Sequence, residues 1–370
     1  MKTQAAVLWE YGQDWQVEEV DLDDPREGEV LVRLAASGLC HSDEHVRVGD
    51  LPMQELPAIG GHEGAGVVEK VGPNVTTVGE GDHVVLSYIP ACGRCPSCAR
   101  GHQNLCDEGA GLSVGLQRDG TARHHVRGRD ARLMCMLGTF APYTVCRETS
   151  IVKIKDDLPL DKAALVGCGV TTGWGTAVYA AEVSPGDTVV VLGIGGVGAN
   201  AVQGARIAGA TQIIAVDPSP FNREQAKRFG ATHTFASAQE ARAALPELTR
   251  GRLANAALIT VDVVTGAILG EAISLVGKLG TVALASLGSV TDNQVAMSMF
   301  EVTVYQKRIV GSLFGNANPR FDIPKLLDLY RHGDLLLDEL VTRTYSLDQV
   351  NQGYEDMRTH RNIRGMIRYP

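Results

Sequence analysis

Residues 29–34 (EVLVRL) alternate apolar and polar side chains, the two-residue period of a strand with one buried face. Val-rich runs at 66–71 (GVVEKV) and 83–87 (HVVLS) lie close to Gly and Pro and predict short strands closed by turns. The segments GPNVTTVGEGD and GRCPSCARGHQN carry no period and read as loops. The first 150 residues therefore predict a β-barrel-like domain of short strands and long loops. Beyond about Cys168 the pattern changes. Apolar strand candidates at 187–192, 212–216, 257–262, 280–285 and 308–313 alternate with helical stretches such as 197–209 (VGANAVQGARIAG). Such alternation predicts a parallel sheet covered by helices. Two amphipathic helices near 322–332 and 347–358, then a strand near 363–369, close the chain.

A length of 370 residues predicts two domains at roughly 150 residues each. Lys+Arg minus Asp+Glu is 34 − 43 = −9, with no dense basic block, which argues against nucleic-acid or anionic-membrane partners. The N-terminal MKTQAAVLWEYGQDW lacks the apolar core of a signal peptide, and no apolar run reaches the ~18 residues of a membrane span. The expectation is a cytoplasmic protein. Its eight cysteines then favour metal ligation over a disulfide framework.

Three constellations carry chemistry. Gly193-Ile194-Gly195-Gly196-Val197-Gly198 follows a predicted strand and opens a predicted helix, in the GxGxxG pattern of a dinucleotide site. The helix N-terminus offers unpaired N–H groups to phosphates. Asp217, 19 residues after Gly198, ends the next strand, where its carboxylate suits ribose hydroxyls and favours NAD over NADP. Arg223 nearby pulls the other way. Tight packing alone is the plainer reading of such glycines. Cys92, Cys95, Cys98 and Cys106 put four thiols on one loop, a set that suits closed, tetrahedral, structural zinc. An iron–sulfur cluster or a pair of disulfides is the rival. Cys40, His62, Glu63 and Cys168 are dispersed, and no period links them. Lone buried Cys and His are more often core residues than ligands.

The motifs GLCHSDEH, GGHEGAGVV, the CxxCxxCx7C loop, GCGVTTG and VLGIGGVG together resemble the zinc-dependent medium-chain alcohol dehydrogenases from end to end. The finer resemblance, carried by LVGCGVTTGWGTAV and DELVTRTYSLDQVNQGYEDMRTHRNIRGMIRY among others, is to the actinobacterial nicotinoprotein subgroup, which is N,N-dimethyl-4-nitrosoaniline-dependent. The resemblance implies a GroES-like β-barrel catalytic domain and a Rossmann domain. Expected limits are 1–170 for the catalytic domain with its structural-zinc lobe at 91–107, 171–310 for the NAD domain, and 311–370 for the return. It also implies two zinc ions per subunit and NAD(H), held tightly in the subgroup and reoxidised by a second electron acceptor. Cys40, His62 and Cys168 become the catalytic zinc ligands, with Glu63 an alternate ligand and Asp43 orienting the imidazole.

Hydride transfer between an alcohol and the nicotinamide is the implied reaction, with zinc as Lewis acid. Ser42 and His45 are implied as the proton relay. Arg364 and, less firmly, His41 are implied at the pyrophosphate, Thr172 at the nicotinamide, and Tyr88 and Phe140 in the substrate channel. A thiol-dependent formaldehyde dehydrogenase is an alternative, given Arg118, Arg123, Arg127 and Arg129. A non-catalytic dinucleotide-binding protein is another. The segment from Cys106 to Phe140 resembles an insertion of dimeric relatives, so a homodimer is expected, with a tetramer as the other outcome.

Overall fold

The computed structural model of the protein describes residues 1–289 and 294–370. It divides into two compact units. One holds Met1–Cys168, Asn318–Gly333 and Leu337–Pro370; the other holds Gly169–Ala317 and Asp334–Leu336.

The first unit is built from two β-sheets. The larger one runs Ile151–Lys153, His83–Leu86, Gly64–Val71, Glu29–Gly38, Arg364–Arg368, Val341–Tyr345, with Tyr143–Arg147 also paired to Glu29–Gly38. Its centre is the predicted strand at 29–34, longer than its alternation marks. Residues 36–38 lack that alternation because they are buried between partners: Ala36 and Ser37 pair with both Gly64–Val71 and Arg364–Arg368. The smaller sheet includes Lys2–Leu8 and Gln16–Leu22, an antiparallel pair absent from the sequence reading. The core between strands and helices is aliphatic with a few rings: Leu8, Trp15, Leu39, Phe140 and Tyr354 belong to one buried cluster.

The second unit is a parallel six-stranded sheet. Its order is His233–Phe235, Gln212–Val216, Thr188–Leu192, Ala254–Ile259, Val276–Leu284, Arg308–Gly311. Numbered along the chain that is 3-2-1-4-5-6, the doubly wound dinucleotide-binding order, with the switch point beside the first strand. Thr188–Leu192 is buried at every position, as a central parallel strand must be. Arg308–Gly311 completes this sheet, and Gly315 packs against Gly175, so the chain stays in this unit until Ala317.

At the turn after the first strand, a Cβ on Gly198 would stand 1.9 Å from the carbonyl oxygen of Gly193. Gly198→Ala must therefore shift backbone, at a cost of about 1–3 kcal/mol. At about 2–4 °C per kcal/mol for a unit of this size, we expect a melting temperature lower by roughly 5 °C. Differential scanning calorimetry checks this; an unchanged transition would remove the close-packing account of Gly198. No helix among the described residues is long and apolar enough to cross a membrane.

Candidate active site

Strand ends of the first unit bring the dispersed ligands together. Cys40 follows the strand Glu29–Gly38 and, in extended conformation, precedes the helix His41–Val48. His62 and Glu63 lead into the neighbouring strand, and Gly38 N donates to Glu63 O at 2.9 Å. Gly61 sits at φ +88, and a Cβ there would meet the Phe140 ring and Thr139 Oγ1 at 2.5 Å, so only glycine lets the turn close this tightly. Cys168 follows the short helix Ala164–Gly167, which lies so close to the barrel that a Cβ on Gly167 would be 2.3 Å from Leu86 O. One ligand atom each from Cys40, His62, Glu63 and Cys168 lies within 4.8 Å of the others, and all four residues are buried.

Buried polar groups need partners, and these have them. Asp43, fully buried, accepts from Gly61 N at 2.8 Å and faces His62 Nδ1 at 3.2 Å. That contact engages Nδ1 and leaves Nε2 for a metal. Burial opposes protonation of His62, but the charges of Asp43 and Cys40 outweigh it and hold its pKa well above the usual value. A hydrogen bond with Cys168 is the main cause holding the Cys40 thiol well below its ordinary range, while the same contact pushes Cys168 up. Two thiolates and a neutral imidazole suit zinc with an open fourth position. Glu63 carries an ion pair to Arg364, and burial first, against that arginine, raises its pKa. Arg364 is 4% exposed, so it is not a surface cation.

Ser42 Oγ lies 3.7 Å from Cys40 Sγ. His45, one turn along the same helix, has Nδ1 3.3 Å from the exposed Asp50, which the sequence reading missed. His41 is exposed, its ring 6.4 Å from that of His45. Tyr88 is half-buried and meets the His62 ring edge-on at 5.8 Å. Phe140 lies deeper than Tyr88. It is fully buried, edge-on to Trp15 at 5.7 Å and closed over by the Gly60–Gly61 turn.

Cys92, Cys95, Cys98 and Cys106 also converge within 4.8 Å. The Sγ pairs Cys92–Cys98 and Cys95–Cys106 are each 4.0 Å apart. Disulfide sulfurs stand ~2.05 Å apart, whereas a tetrahedral zinc with ~2.3 Å bonds separates its sulfurs by ~3.8 Å. Backbone N–H groups of Cys95, Cys98 and Asp107 point at these sulfurs at 3.3–3.4 Å, as suits thiolates. Backbone hydrogen bonds, chiefly from Asp107, lower the Cys95 thiol to about 7. The two remaining cysteines differ: burial pushes Cys135 up to about 11 and raises Cys146 further. Such thiols behave as small hydrophobes.

In the second unit, Gly193 and Gly198 are explained by packing, but Gly195 is not. A Cβ on Gly195 would meet nothing within 4 Å. The open space sits where the helix Gly196–Ile207 begins, beside Val197, and fits an approaching pyrophosphate. Asp217 is 5% exposed, and its carboxylate already accepts from Ile194 N, Ser219 N and Asn222 Nδ2. With about four acceptor sites, it retains one for a ribose hydroxyl. Arg223 is turned back onto the carbonyls of Asp217 and Pro218. Thr172 Oγ1 is buried with no hydrogen-bond partner among the described residues.

Comparison with known proteins gives the same reading. Residues 26–156 match the family described as alcohol dehydrogenase GroES-like domain, and residues 196–331 match zinc-binding dehydrogenase. The chain is 53% identical over 367 residues to the NDMA-dependent alcohol dehydrogenase of Amycolatopsis methanolica, covering 99% of each. It is 48% identical over 370 residues to alcohol dehydrogenase B of Mycobacterium tuberculosis, covering 100% of this chain and 99% of that one. Among solved structures, the benzyl alcohol dehydrogenase of Acinetobacter calcoaceticus superposes with a TM-score of 0.92 at 34% identity, each chain covered in full. The first unit is thus GroES-like and the second a Rossmann domain, with zinc as cofactor and NAD the usual dinucleotide. The chain belongs to the zinc-dependent medium-chain alcohol dehydrogenases.

Proposed function

We propose that the protein oxidises an alcohol to an aldehyde or ketone with an NAD(H) that stays bound through successive turnovers and is reoxidised in place by a second substrate. The convergence of Cys40, His62 and Cys168 on one buried point carries the alcohol chemistry. The 53% identity to an NDMA-dependent enzyme supports the retained cofactor. Cys40, His62 and Cys168 would hold a zinc ion that would supply a Lewis acid to the alcohol oxygen, and a bound NAD would supply the hydride acceptor. Asp43 keeps the His62 ring aligned. Ser42 receives the alcohol proton at Oγ. His45, against the exposed Asp50, delivers it to solvent. Tyr88 borders the substrate space. Glu63, held by Arg364, is the reserve carboxylate of the centre. Thr172, Gly195, Asp217 and the helix start at Gly196 bind the dinucleotide; His41 and Arg364 are its remaining candidate contacts. Cys92, Cys95, Cys98 and Cys106 hold the second, structural zinc.

The thiol-dependent alternative relies on arginines that are largely committed. Arg123 is buried on Glu29 and Asp119, Arg127 pairs with Glu18, and Arg129 donates to Leu56 O. A homodimer is supported by the outer edge of Arg308–Gly311, unpaired among the described residues, and by exposed Met299, Phe300 and Ile309 in the same unit. The test of retention is to desalt the purified protein, denature it and quantify released nucleotide. Stoichiometric NAD(H) is expected. Rapid, steady NADH release from added NAD and alcohol would sink the proposal.

A further inference from the structure

The helix Val350–Arg358 lies against the helix that carries the candidate ligand region. Arg358 donates to Glu44 at 2.8 Å, and Glu44 follows Asp43 in sequence. Tyr354 is one turn before Arg358, so it projects from the same face. Its ring is 1% exposed and packs beside Phe140 at 6.3 Å. One buried polar atom is left over here: Tyr354 Oη lacks a hydrogen-bond partner among the described residues, while Asp43 Oδ2 is approached by His62 Nδ1 at 3.2 Å. Burial, and then the Asp43 carboxylate, hold the phenol well above its usual pKa, so it keeps the proton it can donate. A phenylalanine would fill the same space without stranding a hydroxyl in an apolar cluster, where an unpaired polar group costs about 1–3 kcal/mol. The hydroxyl therefore calls for an acceptor, and the Asp43 carboxylate is the charged group that acts on it most strongly after burial.

We propose that Tyr354 is a positioning residue for the catalytic metal centre: its hydroxyl anchors Asp43, which in turn fixes the ring of His62. The inference rests on the reading of Cys40, His62 and Cys168 as metal ligands. Removing a partner that orients a ligating histidine weakens metal binding by about 10–100-fold. One step further out, the effect is expected at the low end.

The test is Tyr354→Phe in the full-length, zinc-loaded protein, followed by the rate of zinc transfer to a chromophoric chelator. A cobalt(II) spectrum of the catalytic site provides the second readout. Expected are loss of one zinc about tenfold faster, a second zinc leaving at the wild-type rate, and a shifted cobalt band. Tyr345→Phe is the control. It removes another buried hydroxyl of the same cluster, one bonded to Asp356, and should lower thermal stability without changing either readout. A Tyr354→Phe rate within twofold of wild type with an unchanged cobalt spectrum overturns the proposal. Equal acceleration by Tyr345→Phe also overturns it, since general loosening then explains the effect. If the wild type itself holds a single zinc, the metal-site reading fails, and the inference fails with it.

Discussion

Cys168→Ser and His62→Ala should each reduce alcohol oxidation by on the order of a thousandfold or more while leaving the chain folded. A Lewis acid on the reacting oxygen contributes several kcal/mol to the transition state, and about 4 kcal/mol corresponds to a thousandfold. Both side chains are buried and converge with Cys40 and Glu63 on one point, so no exposed neighbour can replace them. His62→Ala has a second consequence. Asp43 loses its imidazole partner while still accepting from Gly61 N, so the turn persists without the ligand. Steady-state rates with a primary alcohol, alongside circular dichroism of each variant, check the expectation. Near wild-type rates from either variant would remove the metal from the reaction.

Cys95→Ser should separate stability from chemistry. Its sulfur lies 4.0 Å from Cys106 Sγ and accepts from two backbone N–H groups, so the loop turns around it. Residues 91–107 contain only one four-residue α-turn and a short 3-10 turn, with little apolar burial of their own. Structural zinc is worth about 10–16 kcal/mol in small metal-folded peptides. If a third of that reaches the whole chain, about 4 kcal/mol, the melting temperature falls by on the order of 10 °C at about 2–4 °C per kcal/mol. Turnover per remaining folded molecule at low temperature should stay close to wild type. A variant with unchanged melting would show that the four thiols do not hold a structural ion.

Features legible in the sequence are those set by local rules. The Gly193–Gly198 turn is read from six consecutive residues, and the cysteine lobe from four thiols on one loop. The catalytic cluster is different, because strand register assembles it. Ser37 pairs with Gly64, which sets Cys40 beside His62 and Glu63, and Gly38 pairs with Met366, which brings Arg364 to Glu63. No period in the sequence encodes those pairings, so only resemblance to a family could join the residues. The same register gave Arg364 a buried carboxylate partner that its surroundings in sequence, Asn-Ile-Arg-Gly, do not suggest. The full burial of Phe140 was not legible for a related reason: an aromatic in an apolar stretch carries no local sign of whether it faces a cavity or a core. Asn255 hid the start of its strand, since an exposed amide that accepts from Thr188 N interrupts the apolar run. Asp50 and Tyr354 were each readable in part. Asp50 follows the site helix closely in sequence, and Tyr354 lies on a helix face shared with Arg358, but their partners are set by tertiary packing.

Metal content of the wild type and of Cys40→Ser, measured by atomic emission on desalted protein, decides whether each converging set binds zinc. Two zinc ions per wild-type chain are expected, one for each converging set, and one per chain in Cys40→Ser, with unchanged melting and the alcohol activity gone. A wild type that binds one zinc, or a Cys40→Ser variant that keeps both, would contradict that expectation.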